Sequence, residues 1–261
     1  MSASPGEGVS LFIHNPIATI VFDQKQRHNA IPLRTWLAIP ALIAAAERNV
    51  AVRLVILRGA NGNFGTGNDL VEFGALHGNP VAATEFARAM ADAMRAVEAA
   101  SKPVIMAIEG LCYGASVALA LAGDLRVAAT NASFGITPAK LGALYLQSDL
   151  HRLVAAVGLG QSKKLIYTAQ AINAAQARAI GLVDEVISAD DFESELKLLT
   201  DAIMRGSSFT LRRTKDMLRS VNHAVSEETD ATLALFVEAT QRDDFVEGVE
   251  AFMTKRSPQF R

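Results

Sequence analysis

Three short runs of branched, apolar residues constrain the fold of this chain most: Leu54-Val-Ile-Leu57, Val104–Ile108 and Leu125–Ala129. Each is too short for a stable helix and carries little alternating polarity, the pattern of strands buried on both faces. Helical patterns separate them. Leu33–Asn49 is rich in Ala and Leu, although Pro40 should start a turn or kink it. Ala82–Ala100 has Phe86, Met90, Met94 and Val97 at helical spacing and stops before Pro103. Ahead of these lie two β-rich runs, Leu11–His14 and Ile17–Phe22, divided by Asn15-Pro16, a turn signal. Ala115–Ala122 reads as a short buried helix. This alternation predicts an α/β fold whose parallel strands are joined by crossover helices.

Beyond about residue 150 the pattern becomes helical, apart from a strand at Val183–Ile187. Helices are expected over Leu150–Val157, Ser162–Thr168, Asn173–Ile180, Asp191–Met204 and Ser208–Val221. A last one spans Glu228–Arg256, with Phe245, Val249 and Phe252 on one face. Arg205-Gly206-Ser207-Ser208 divides a sheet-bearing body, residues 1–205, from a helical tail, residues 206–261.

Composition narrows the function classes. Half of the 261 residues are apolar and the net charge is −2, which suits a soluble core-bearing protein and gives no footprint for nucleic acid. The start, MSASPGEG, has no basic or apolar leader region, and no uncharged apolar run is long enough to cross a membrane. One cysteine, Cys112, fits a reducing compartment, so a cytoplasmic location is expected. His14, His28, His77 and His223 are isolated and show no metal-ligand spacing.

Chemistry concentrates in two glycine-spaced turns that follow apolar strands, Phe64-Gly-Thr-Gly-Asn-Asp-Leu70 and Glu109-Gly-Leu-Cys-Tyr-Gly-Ala-Ser116. Each presents backbone N–H groups unobstructed by bulky side chains. Two such amides converging on one carbonyl would stabilise an oxygen that is becoming negative.

With Gln26-Arg-His-Asn-Ala30, Ala132-Ser-Phe-Gly135, Leu141-Gly142, Ala175-Gln-Ala177, Gly181-Leu-Val183 and Phe245–Arg256, these turns resemble, in order and spacing, the enoyl-CoA hydratase/isomerase (crotonase) superfamily. The resemblance covers nearly the whole chain. It implies a spiral of ββα units with a C-terminal helical trimerisation region, assembly as a homotrimer or a hexamer of two trimers, and a place in fatty acid metabolism. It implies an acyl-CoA substrate, with coenzyme A entering as part of that substrate and no separate cofactor or metal.

By position, the resemblance assigns the amide donors to Asn68, after Gly67, and Ala115, after Gly114. Alanine stands where the family usually has glycine, so the second donor survives if Ala115 has negative φ. A helix dipole should reinforce it. The substrate should run past Asp69, with the acyl chain among Phe64, Leu70, Phe73, Leu144 and Leu146. Arg27, Phe252 and Lys255 resemble the family's adenine and phosphate contacts, the last two reaching a neighbouring subunit. Lys255 also reads as a solvated helix end, and Phe252 as a core residue in either case.

Where a hydratase of this family carries two glutamates, this chain places Ala118 and Pro138 by position, and a third acidic position of sister enzymes falls on Leu146. None can transfer a proton. The polar groups left are Tyr145 and the side chain of Asn68. The run Thr137–Tyr145 resembles the methylmalonyl-CoA decarboxylase branch, where loss of CO₂ itself generates the enolate. Tyr145 reads equally well as a core tyrosine whose hydroxyl is satisfied by backbone. Asp69 and Glu72 read as helix-start acids, as does Asp149, which could alternatively carry a proton.

Two rivals remain. Gly114-Ala-Ser116-Val-Ala118 half-matches a serine-hydrolase elbow, which would make Ser116 a nucleophile. The other is a non-catalytic acyl-CoA-binding subunit. A nicotinamide site is disfavoured, because the glycines at 59, 62 and 65 do not spell the dinucleotide fingerprint.

Overall fold

The computed structural model describes residues 8–221 and 229–260. His223 and the first residue of the expected last helix, Glu228, lie outside that range. Nine strands are present among the described residues: β1 (Val9–His14), β2 (Ile17–Phe22), β3 (Leu54–Gly59), β4 (Val104–Ile108), β5 (Leu111–Tyr113), β6 (Leu125–Ala129), β7 (Ser133–Gly135), β8 (Ile172–Asn173) and β9 (Glu185–Ile187). The helices are α1 (Leu33–Arg48), α2 (Leu70–Gly74), α3 (Pro80–Ala99), α4 (Ala115–Ala120), α5 (Pro138–Leu141), α6 (Gln147–Thr168), α7 (Ala174–Ala179), α8 (Phe192–Met204), α9 (Ser208–Val221), α10 (Asp230–Thr240) and α11 (Asp243–Met253).

Six strands form one sheet in the order β1-β2-β3-β4-β6-β9, parallel apart from the β1–β2 hairpin. A second sheet, β5-β7-β8, lies beside it. The units β4-β5-α4 and β6-β7-α5 each supply one strand to each sheet, so successive turns of chain stack as a spiral.

The strands read as continuous apolar runs because both faces of the large sheet are covered. Val55, Leu57, Val104, Met106 and Ile108 face the main core with Trp36 and Phe86, whereas Leu54, Ile56, Ile105, Ala107 and Val127 pack under Phe192 and Leu196 of α8. Fully burying each large side chain contributes roughly 1.5–3 kcal/mol.

Pro40 neither breaks nor ends α1. Its ring removes one backbone donor, but Trp36, Ile39, Ile43 and Ala46 bury a continuous stripe that holds the helix against α3 and the sheet. At the carboxyl end of α1 the buried Lys102 ammonium donates to the carbonyls of Ala46, Glu47 and Asn49 at 2.7, 3.1 and 2.8 Å. The two helices expected between 150 and 168 are present as the two arms of α6, separated by a kink at Gly158 (φ 74°, ψ 162°). The single helix expected over 228–256 is two, because Arg242 is extended (φ −92°, ψ 151°). Its guanidinium stacks 4.3 Å from the centre of the Phe209 ring. At the 206–208 junction Arg53 bonds Gly206 O and Ser208 Oγ, both at 2.6 Å, tying the start of α9 to the body.

Candidate active site

The first turn follows β3 and is clamped on both sides. Gly65 pairs with β5: its N–H donates to Leu111 O at 2.8 Å and its carbonyl accepts from Tyr113 N at 2.9 Å. Three residues on, Ile31 pairs with Asn68 in parallel register, donating to Gly67 O at 2.7 Å and accepting from Asp69 N at 3.1 Å. In such a bridge the partners of Ile31 are the flanking residues 67 and 69, so the N–H of Asn68 itself points to the opposite side. That N–H has no acceptor among the described residues.

The second turn closes β5 and opens α4. Gly114 adopts φ +53°, ψ −123°, a conformation that glycine reaches without strain, and reverses the chain so that Ala115 becomes the first helical residue. Ala115 is not among the residues with positive φ, so alanine is accommodated and its amide is retained. Like that of Asn68, this N–H finds no acceptor among the described residues. Because α4 has only six residues, its dipole adds less to this donor than the sequence suggested.

The two turns touch. A Cβ placed on Gly67 would lie 3.0 Å from Ala115 N and 2.9 Å from Tyr113 O, so any side chain there would displace the second donor. The buried Ser116 hydroxyl accepts the Gly67 N–H at 3.0 Å, bolting one turn to the other. Ser116 is therefore built in as a tether, with its oxygen turned to a backbone amide and away from the cavity lining.

Both donor residues line a cavity of about 500 Å³ walled by α2, α3, α5 and the 142–146 segment. Leu70, Phe73, Leu144 and Leu146 line it as expected, joined by Phe86 and Met90 of α3. Phe64 does not line it: the ring is buried edge-to-face against Phe22, with centroids 6.2 Å apart. Pro138 is in the lining, while Ala118 is fully buried in α4. The sequence reading gave no site role to Thr137, although it opens the run likened to the decarboxylase branch, or to His77, which sits exposed at the rim and stands in no pattern that would have singled it out.

Asp69 is buried beside the donor and outside the lining. Its carboxylate caps α2, accepting from Val71 N at 3.0 Å and Glu72 N at 3.4 Å, and pairs with Arg27. Burial alone would raise its pKa, but the Arg27 pair and the two amides outweigh that and hold it below the usual carboxylate range. Arg27 thus spends its charge on Asp69, although the guanidinium remains half exposed. Glu72 accepts Leu33 N at 2.8 Å, supplying the cap that Pro32 cannot.

The two remaining polar candidates are engaged within the protein. The Asn68 amide oxygen accepts from Trp36 Nε1 at 3.0 Å. The Tyr145 hydroxyl donates to Gly114 O at 2.6 Å, which is the backbone-satisfied arrangement. Burial, with the nearby Asp149 carboxylate, pushes the Tyr145 pKa well up, so the phenol keeps its proton. Asp149 is buried at the start of α6, bonded to Leu146 N at 3.3 Å and to Arg152 at 3.2 Å, and is a helix-start acid that does not line the cavity.

At the far end, Phe252 is 84% exposed, against the expectation of a core residue. It helps to wall a separate apolar cavity of about 430 Å³ with Phe209, Phe245, Val249 and Phe260. Lys255 follows α11 in a left-handed conformation.

The profile of the family described as "Enoyl-CoA hydratase/isomerase" matches residues 13–261. This chain belongs to that family. It is 33% identical over 260 residues to the crotonyl-CoA hydratase of Syntrophomonas wolfei, covering 97% of this chain and 98% of the relative. It is 27% identical over 259 residues to the methylmalonyl-CoA decarboxylase of Escherichia coli, covering 97% of each. Among solved structures, an enoyl-CoA hydratase/isomerase family protein from Hyphomonas neptunium superposes with a TM-score of 0.93 at 37% identity over 97% of both chains. The crotonase-like fold and an acyl-CoA ligand follow from membership.

Proposed function

We propose that this protein carries out enolate chemistry on an acyl-CoA thioester without the two-glutamate hydration mechanism. The reading rests on one observation: two unpaired backbone amides reach a cavity that no carboxylate lines among the described residues. The donors would hold the thioester oxygen as charge moves onto it, and a hydratase needs in addition a group to activate water. Among the described residues, the cavity's titratable side chains are His77 and Tyr145.

Decarboxylation of a substituted malonyl-CoA is the sharper form of this reading, supported by the likeness to the Escherichia coli decarboxylase. The bond to CO₂ breaks, its electron pair enters the thioester as the enolate, and a proton reaches the α-carbon from the open rim, where His77 sits. No base is required for that step. Turnover of purified protein on substituted malonyl-CoA and trans-2-enoyl-CoA thioesters tests it. CO₂ release with little hydration is the expected result, and efficient enoyl hydration would overturn the proposal. Tight binding with no turnover of any thioester would reassign the chain as a binding subunit.

The same reading extends to assembly. Phe236, Val237, Val246, Phe252 and Met253 leave the C-terminal helices with exposed apolar surface. A homotrimer or a dimer of trimers would cover it and bring Phe252 and Lys255 to a neighbouring subunit's coenzyme A, with Arg27 at the same end of the ligand. A cytoplasmic location and no cofactor beyond coenzyme A complete the proposal.

A further inference from the structure

Tyr145 occupies an unusual place. Its ring lines the acyl cavity, yet its hydroxyl is turned onto Gly114 O at 2.6 Å. That carbonyl and the N–H of Ala115 belong to one peptide unit. In a trans peptide the C=O and N–H point in opposite directions in a single plane. A bond that fixes the oxygen therefore fixes the direction of the hydrogen, and a carbonyl that accepts a hydrogen bond makes its own N–H a stronger donor.

The need for such a restraint is visible in the sequence. Gly114 has a positive φ of +53° and no Cβ, so no side chain of its own restrains the peptide beyond it. Helix α4 already ties this carbonyl, through Val117 N at 3.1 Å and Ala118 N at 3.4 Å. Tyr145 adds a third and shorter bond from a different element. The next residue, Leu146, donates its N–H to Asp149 at 3.3 Å, and Asp149 pairs with Arg152, which reaches Glu98 at 2.8 Å.

We infer that Tyr145 is a positioning residue of the oxyanion hole, its hydroxyl aiming and polarising the 114–115 peptide rather than transferring a proton to substrate. The inference rests on the two-amide reading above and deepens it. It assigns a task to Tyr145, the one phenol that lines the cavity among the described residues.

The test is Tyr145→Phe, read with a conjugated acyl-CoA whose absorbance moves to longer wavelength as its carbonyl is polarised. A second variant places a ring-fluorinated tyrosine, a stronger donor, at position 145. The expected result is a smaller red shift in Y145F and a larger one in the fluorinated protein. Turnover of the best thioester in Y145F should fall roughly 2- to 10-fold at near-constant KM, the scale of one neutral hydrogen bond. Loss of a proton donor would instead cost about 10²–10⁴-fold. A loss of 100-fold or more with the red shift intact would overturn the inference, as would an unchanged shift in both variants. Absence of any red shift in the unmodified protein would defeat the two-amide reading itself, which keeps the two failures apart.

Discussion

Replacing Ala115 by proline tests the second donor with little disturbance of the fold. Proline has no N–H, and the first helical position is where it is best tolerated, since its φ suits the helix. Ala115 is that position in α4, and its N–H has no acceptor inside the described protein, so no internal hydrogen bond is lost. The preceding residue is Gly114, which lacks the Cβ that usually clashes with the proline ring. Loss of one oxyanion donor costs about 2.7–4 kcal/mol, or 10²–10³ in kcat. The assay is steady-state turnover of whichever thioester the panel identifies, beside the binding affinity of a non-reacting acyl-CoA. Turnover should fall by that factor while affinity changes far less, because the bond is strongest when the oxygen carries charge. An ester swap, lactic acid in place of Ala115, removes the hydrogen without adding a ring and should cost a similar factor. If both proteins fold and turn over within threefold of the parent, the Ala115 amide is not a catalytic donor.

Ser116→Ala removes the acceptor for Gly67 N–H and leaves a buried donor unpaired. A destabilisation of about 1–3 kcal/mol is expected by chemical denaturation. A fluorophosphonate should not label the parent protein, and stoichiometric labelling at Ser116 would restore the nucleophile. Asp69→Asn keeps a capping oxygen at the start of α2 but removes the charge that pairs with Arg27, costing up to about 1 kcal/mol at neutral pH. Because the Asp69 pKa is depressed in the folded protein, its contribution is complete above the unfolded value near 3.9 and is lost as pH falls through the folded one. The stability gap between parent and D69N should therefore hold from about pH 7 to 5 and shrink below about 4; a gap that stays constant to pH 2 contradicts this. Lys102→Met strips three carbonyls at the end of α1 of their donor, and a loss of about 3 kcal/mol is expected. A shift below 1 kcal/mol would show that water replaces the ammonium there.

The parts of this molecule that could be read in advance are those whose physics is local. Strands β4 and β6 fall on the expected residues because burial on both faces demands unbroken apolar runs, and Gly67 and Gly114 mark themselves because a backbone approach tolerates no Cβ. What failed depended on partners remote in sequence. Pro40 sits inside a helix held by its packing on α3 and the sheet, and Phe64 turned to Phe22 because the strand beneath it offered an edge-on ring. Phe252 follows the helical period of a core face, yet that face is bare in one chain. Periodicity reports that a surface is to be covered and is silent about whether the cover is the same chain or another copy. The same limit applied to Tyr145. Sequence could place a phenol near the second donor, but only the fold shows that its hydroxyl meets the far end of the peptide carrying that donor. The proposed oxyanion hole is thus legible as two glycine turns, while the bonds that Ser116 and Tyr145 make to those turns become legible only once the spiral has stacked them.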